Sequence, residues 1–157
     1  MDIKVERAEL EDLELIVQGQ KKGFYECYQR YQDHEVSPYN VTIEMMKYIF
    51  DKEYLYKILS EGEFVGAIYV HDNPDKYHMK LRGIFIIPEY QDKGIGQIAI
   101  EYVESQHNEA VTWVLETPHD LKRNHHVYEK LGYKRTGEED YINENLSIVY
   151  YKKEVNK

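Results

Sequence analysis

One stretch constrains this chain more than any other: Ile84-Phe85-Ile86-Ile87-Pro88-Glu89-Tyr90-Gln91-Asp92-Lys93-Gly94-Ile95-Gly96. An apolar run suited to a buried strand ends at a proline, and a short polar loop follows. Two glycines then open a helix whose apolar face is Ile95, Ile98, Ala99, Tyr102 and Val103. The glycines leave the main chain of Lys93 to Gln97 uncovered. The first turn of a helix carries N–H groups with no intrahelical acceptor, together with the positive end of the helix dipole. This turn therefore suits an anion, and a diphosphate fits it well. A plain strand-to-helix turn has the same spelling, so the surroundings of the motif decide between the two.

A chain of 157 residues that is 42% apolar is long enough for one domain with a sizeable core. No apolar run reaches the ~18–20 residues that span a bilayer. The N-terminal Met1-Asp2-Ile3-Lys4-Val5-Glu6 lacks the apolar centre of a signal peptide. Cys27 is the single cysteine, so no intrachain disulfide can form, and a reducing, cytoplasmic setting is expected. The net charge of −9 disfavours nucleic acid and favours a cationic partner such as an amine.

Taken in order, Ile3 to Arg7 reads as a first strand, and Leu10, Leu13, Ile16 and Val17 recur at helical spacing over about Glu9 to Lys21. Gly23 to Tyr39 is rich in tyrosine and charge and breaks at Ser37-Pro38, a candidate wall for a substrate pocket. Thr42 caps a second helix through about Asp51. A hairpin follows, from Tyr54 to Ser60 and from Phe64 to Val70 around Glu61-Gly62-Glu63. Tyr77 to Ile87 is a longer strand in which the alternation changes at Gly83, the mark of a bulge. After the glycine-turn helix come a strand at Ala110 to Glu116 and a short helix at about Asn124 to Leu131, stopped by Gly132. Two strands, Tyr133 to Thr136 and Leu146 to Lys152, close the chain. The expected fold class is α/β in the mixed, α+β sense. It is a single domain with a central, mostly antiparallel sheet of about seven strands and about four flanking helices.

Gly94-Ile95-Gly96-Gln97-Ile98-Ala99 also satisfies the G-x-G-x-x-G/A spelling of an NAD(P)-binding oxidoreductase, and Glu116 lies where that fold places a ribose-binding acid. The context argues against it. Pro88 to Lys93 intervene between strand and glycines, and too little chain remains for further parallel strand–helix repeats.

A second motif settles the context. Gln91-Asp92-Lys93-Gly94-Ile95-Gly96 meets the pattern [Gln/Arg]-x-x-Gly-x-[Gly/Ala], and Tyr128-Glu129-Lys130-Leu131-Gly132-Tyr133 follows downstream. Together they resemble the GCN5-related N-acetyltransferase (GNAT) superfamily, over Tyr54 to Thr136. The resemblance implies acetyl-CoA as co-substrate and transfer of its acetyl group to a primary amine; the placing of the histidines leads to no metal being expected. It implies that Gln91, Asp92, Lys93, Gly94, Ile95, Gly96 and Gln97 hold the CoA diphosphate. The main chain of Ile84, Phe85 and Ile86, splayed from its neighbour at a bulge, would pair with the pantetheine arm and polarise the thioester.

With Cys27 read as remote, a covalent acyl-enzyme is not expected, and the amine attacks directly after losing its proton. Glu116, at the end of its strand, is the leading base, acting itself or by holding a water, with Glu89 next. Tyr128 is the leading acid, expected to pass its proton downhill to the departing thiolate. The family's asparagine seven residues before this tyrosine is Leu121 here, so Asn124 or His119 takes its contact or the contact is lost. Asp33, His34 and Glu35 can line an acceptor pocket, although a solvated loop is the expected reading. His125 and His126 point to different helix faces and make no metal pair. The acceptor is an amine, small molecule or peptide, and the last strands offer a homodimer edge. A catalytically weak acyl-CoA-binding module or sensor is the alternative.

Overall fold

The structure, a computed structural model, describes residues 1–155. Four strands pair antiparallel in sequence order: β1 (Ile3–Arg7), β2 (Tyr54–Ser60), β3 (Glu63–Val70) and β4 (His78–Ile86). Helices α1 (Leu13–Tyr31) and α2 (Ile43–Lys52) lie between β1 and β2 in the chain. After β4 come α3 (Ile95–Gln106), β5 (Thr112–Pro118), α4 (Lys122–Lys130), β6 (Lys134–Asn143) and β7 (Leu146–Glu154). Among the described residues, seven strands form one sheet ordered β1-β2-β3-β4-β5-β7-β6, in which only β4 and β5 run parallel. A doubly wound dinucleotide fold needs successive parallel crossovers, so the oxidoreductase reading fails on topology.

Two apolar layers sandwich the sheet. Ile95, Ala99, Ile100 and Val103 of α3 pack with Val70, Met79, Trp113 and Val149 on one face. Leu13, Ile16 and Val17 of α1 and Met46 of α2 pack with Leu55, Ala67 and Phe85 on the other. α2 begins where expected, with the Thr42 hydroxyl accepting from the Met45 amide.

Several expected boundaries move. A short 3-10 turn at Leu10–Asp12 precedes α1, which then runs ten residues past its expected end at Lys21, to Tyr31. Tertiary packing overrides the glycine at position 23, because α1 lies so close to β4 that a Cβ there would stand 3.2 Å from Phe85 Cβ. β5 starts and ends two residues later than expected. α4 starts two residues earlier, at Lys122. β6 extends to Asn143 across a bulge at Gly137, because pairing with β7 holds a strand whose own side chains are almost wholly exposed.

The change of alternation at Gly83 is a real bulge. Tyr69 pairs with Gly83 and Val70 with Leu81, which leaves Arg82 as the extra residue. Met79 and Leu81 face the α3 layer before it, and Ile84 and Ile86 face the same layer after it, while Phe85 enters the α1 layer. At Gly83 a Cβ would sit 2.3 Å from Tyr69 Cζ. Gly83→Ala is therefore expected to cost about 1–3 kcal/mol, read as a lowered Tm, because the ring or the strand must shift.

Candidate active site

The site begins where two strands stop pairing. β4 and β5 are hydrogen-bonded only from His78↔Thr112 to Lys80↔Val114. Beyond this, one edge of β4 stays on β3 through Ile86, and the edge facing β5 is open from Leu81 onward. The bulge at Arg82 increases local twist and turns β4 away, and β5 continues on β7 instead.

At the end of the open edge lies the glycine turn. Pro88–Tyr90 form a short 3-10 turn, Asp92 takes a left-handed conformation (φ 62°), and Gly94 caps α3 with φ 80°. Gln91 Nε2 donates to the Ile86 carbonyl at 2.8 Å, so the motif glutamine clasps the turn to the end of β4. The amide of Ile98 reaches back to Gly94, which leaves the amides of Ile95, Gly96 and Gln97 aimed outward from the first turn. The nearest atom to a Cβ built at Gly96 is Ile84 Cδ1, at 3.8 Å, so the missing side chain leaves a cradle over the turn. A diphosphate fits there, on uncovered amides and the dipole end of a helix. Arg123 of α4 stands across the groove, with Nη1 3.4 Å from Asp92 Oδ1. Its guanidinium offsets the one carboxylate that would repel a phosphate.

This groove is lined by Ile84, Phe85, Ile86, Gln91, Asp92, Gly94, Ile95, Gly96, Gln97 and Asn124, and Lys93 lies outside it. Leu121 and Asn124 both line the groove, and Asn124 also faces the second cavity. His119 lines neither. Its Nδ1 accepts from the Ser147 amide at 3.1 Å, which removes it as a stand-in for the missing asparagine.

A second cavity of about 450 Å³ opens between the parting strands, under the end of α1 and the β6–β7 turn. Its roof is tied down. Arg30 and Tyr31 both reach Asp120, at 2.5 and 2.7 Å, and Asn143 Nδ2 donates to the Tyr31 carbonyl at 3.0 Å. Cys27, Ile84, Asn124 and Tyr128 line both cavities and so mark their junction. The reading of Cys27 as remote is corrected here, because the length of α1 carries it to the junction. Its thiol is pushed up by burial first and by Glu26 second, so it is a neutral thiol rather than a thiolate.

Tyr128 is buried in α4, with the rings of Tyr133 and Tyr151 at 6.2 and 6.0 Å. Burial, and then Tyr151, push its phenol up to about 12. The expectation of downhill proton transfer is corrected: an ordinary tyrosine near ~10 is already a weaker acid than an ordinary thiol near ~8.5, and burial widens the gap. A phenol of this kind stays protonated at neutral pH and can donate a hydrogen bond to charge growing on sulfur.

Glu116 lines the second cavity, on the sheet face away from Trp113 and Leu115, and accepts from Lys80 Nζ at 3.1 Å. Glu89 is exposed in the 3-10 turn and lines neither cavity. The solvated-loop reading of residues 33 to 35 holds at the exposed His34 and Glu35. It fails at Asp33, which is buried and lines the second cavity. Arg123 was not singled out in the sequence, since no spacing rule links it to a turn about thirty residues away.

The Acetyltransferase (GNAT) family profile matches residues 14–133. Among solved structures, PaiA N-acetyltransferase from Thermoplasma acidophilum with coenzyme A is similar at TM-score 0.78 and 15% identity, over 99% of this chain and 100% of that one. YncA from Salmonella typhimurium with acetyl-CoA is similar at TM-score 0.75 and 10% identity, over 100% and 96%. The ribosomal-protein-S18-alanine N-acetyltransferase from Escherichia coli is similar at TM-score 0.72 and 14% identity, over 99% and 96%. The uncharacterized protein YrkN of Bacillus subtilis (strain 168) is 36% identical over 74 residues, 47% of this chain. The chain spans only 40% of that relative's length. No helix among the described residues is long and apolar enough to cross a membrane. The matched profile spans the glycine turn, the parted strands and Tyr128, and by it the chain belongs to the GNAT acetyltransferase family.

Proposed function

We propose that this chain is an acetyl-CoA-dependent N-acetyltransferase that acylates a primary amine by direct attack. The observation that carries the reading is the meeting of two cavities where β4 and β5 part, one floored by the glycine turn and one bearing Asp33 and Glu116. Acetyl-CoA bound along the turn supplies a thioester carbon; the new C–N bond forms as C–S breaks, the ammonium gives up one proton before attack and a second as the amide forms, and sulfur leaves as a thiolate that solvent protonates.

The amides of Ile95, Gly96 and Gln97 grip the diphosphate, and Arg123 adds a cation. The open edge of Ile84, Phe85 and Ile86 offers main-chain groups to the pantetheine arm and an N–H to the developing oxyanion. Asn124 offers the amide contact that Leu121 cannot make. A lysine-like amine, with a pKa of about 10.4, arrives protonated near pH 7. Glu116 takes that proton through a water. Tyr128 donates to the sulfur and stabilises its negative charge.

Glu116→Gln is expected to lower kcat/KM about tenfold at pH 7, with the deficit shrinking as pH rises toward the amine's own pKa. The sign follows from the base's task, since an amine already neutral needs none. A deficit constant across pH would assign Glu116 a role other than base. The proposal as a whole is tested by thiol release from acetyl-CoA against a panel of amines. Tight coenzyme A binding with no amine-dependent release would instead favour an acyl-CoA-binding module, the reading that Leu121 suits.

A further inference from the structure

Asp33 follows the left-handed cap of α1 at Gln32 (φ 51°). Only 8% of its surface is exposed, and Oδ1 has no hydrogen-bond partner among the described residues. An unpaired carboxylate oxygen buried in this way is costly, and a donor brought by a ligand removes the cost. The residue lines the second cavity, the one assigned above to the acceptor.

The charged groups lining that cavity are not equivalent. Glu116 is taken by Lys80 at 3.1 Å, and Arg82 lies 3.9 Å from Glu53. His34, beside Asp33 in the chain, has its Nδ1 2.9 Å from the Tyr28 hydroxyl. Asp33 Oδ1 is the acceptor atom left over. Much of the remaining wall is apolar, including Phe24, Val36, Pro38, Leu81, Ile142 and Ile148. Thr117 Oγ1, on β5, is a second buried polar atom of the same cavity without a partner among the described residues.

A carboxylate in direct contact with the attacking nitrogen would stand at the junction with the cofactor groove, and Glu116, which lines the acceptor cavity alone, reaches that nitrogen through a water. Asp33 lines the acceptor cavity alone, whereas Tyr128 and Ile84 line both. We infer that Asp33 holds a second cationic nitrogen of the acceptor, which makes the substrate a linear diamine. One amine reaches the junction, the methylene chain lies against the apolar wall, and the far ammonium donates to Asp33. The inference rests on the transferase reading for the identity of the junction, but not for the binding itself. An ammonium–carboxylate contact out of water is a strong, charge-assisted hydrogen bond. Burial pushes the Asp33 carboxyl up, and a bound ammonium draws it down again.

The test is calorimetric binding of cadaverine and of pentylamine, which lacks the second nitrogen, to coenzyme A-loaded protein. Wild-type protein is expected to bind cadaverine about tenfold or more tighter than pentylamine. In Asp33→Asn the two bind within about twofold of each other, with pentylamine and coenzyme A affinities unchanged. Equal binding of the two amines by wild type, or a preference that survives in Asp33→Asn, overturns the inference. Should the variant fail to fold, the wild-type comparison alone decides. Thiol release measured in parallel separates the two readings. Asp33-dependent cadaverine binding without turnover sinks the transferase and keeps the diamine site, and turnover of both amines without preference does the reverse.

Discussion

Tyr128→Phe is expected to lower kcat by about a hundredfold or more while leaving KM for acetyl-CoA within about twofold. The substitution keeps the ring among Tyr133 and Tyr151 and removes only the hydroxyl of a residue that lines the junction. The loss therefore falls on charge stabilisation at sulfur and not on packing. Steady-state thiol release measures it, and an unchanged kcat removes Tyr128 from the mechanism. The pH profile carries a second expectation. A donor works only below its own pKa, and this one is pushed up to about 12. The wild-type rate should hence show no alkaline fall between pH ~7 and ~10, where an ordinary tyrosine near ~10 would already begin to titrate.

Gly96→Glu is expected to weaken coenzyme A binding by about a hundredfold or more, read by calorimetry, with little change in Tm. The space beside Gly96 is what separates ligand from fold. A Cβ there approaches nothing nearer than Ile84 Cδ1 at 3.8 Å, so the protein accepts a side chain. The ligand does not, because the added carboxylate stands over the amides that would face the diphosphate. Gly94 makes the contrast. Its φ of 80° requires glycine, and replacing it strains the turn before any ligand is present. Normal binding by Gly96→Glu would place the nucleotide elsewhere.

Sequence reading went furthest where local chemistry and fold agree. The change of alternation at Gly83, the proline-stopped strand and the glycine-opened helix are each written in consecutive residues, and each stands in the structure where the residues put it. Sheet class followed from hairpin signals and from the lack of chain for parallel repeats. The acceptor side was far less legible, because it is made by segments remote in sequence. Asp33 becomes buried only when α1 runs on through Gly23, and that extension depends on packing against Phe85, some sixty residues away. Cys27 was misplaced for the same reason. Tyr128 is legible by motif, but the burial that pushes its phenol still further above a thiol is encoded in no motif. Arg123 meets Asp92 only through the crossover that sets α4 beside the glycine turn.

The surplus residue at Arg82 has a consequence for how such chains can drift. It decides which layer receives Phe85 and which receives Ile84, and it fixes how far the open main chain extends before Gln91 clasps Ile86. Side chains along this stretch can be exchanged one for another of similar bulk. A single inserted or deleted residue between Lys80 and Gln91 would turn the strand's interior outward and slide the phosphate-gripping amides along it. Length, more than identity, is the quantity this segment has to preserve.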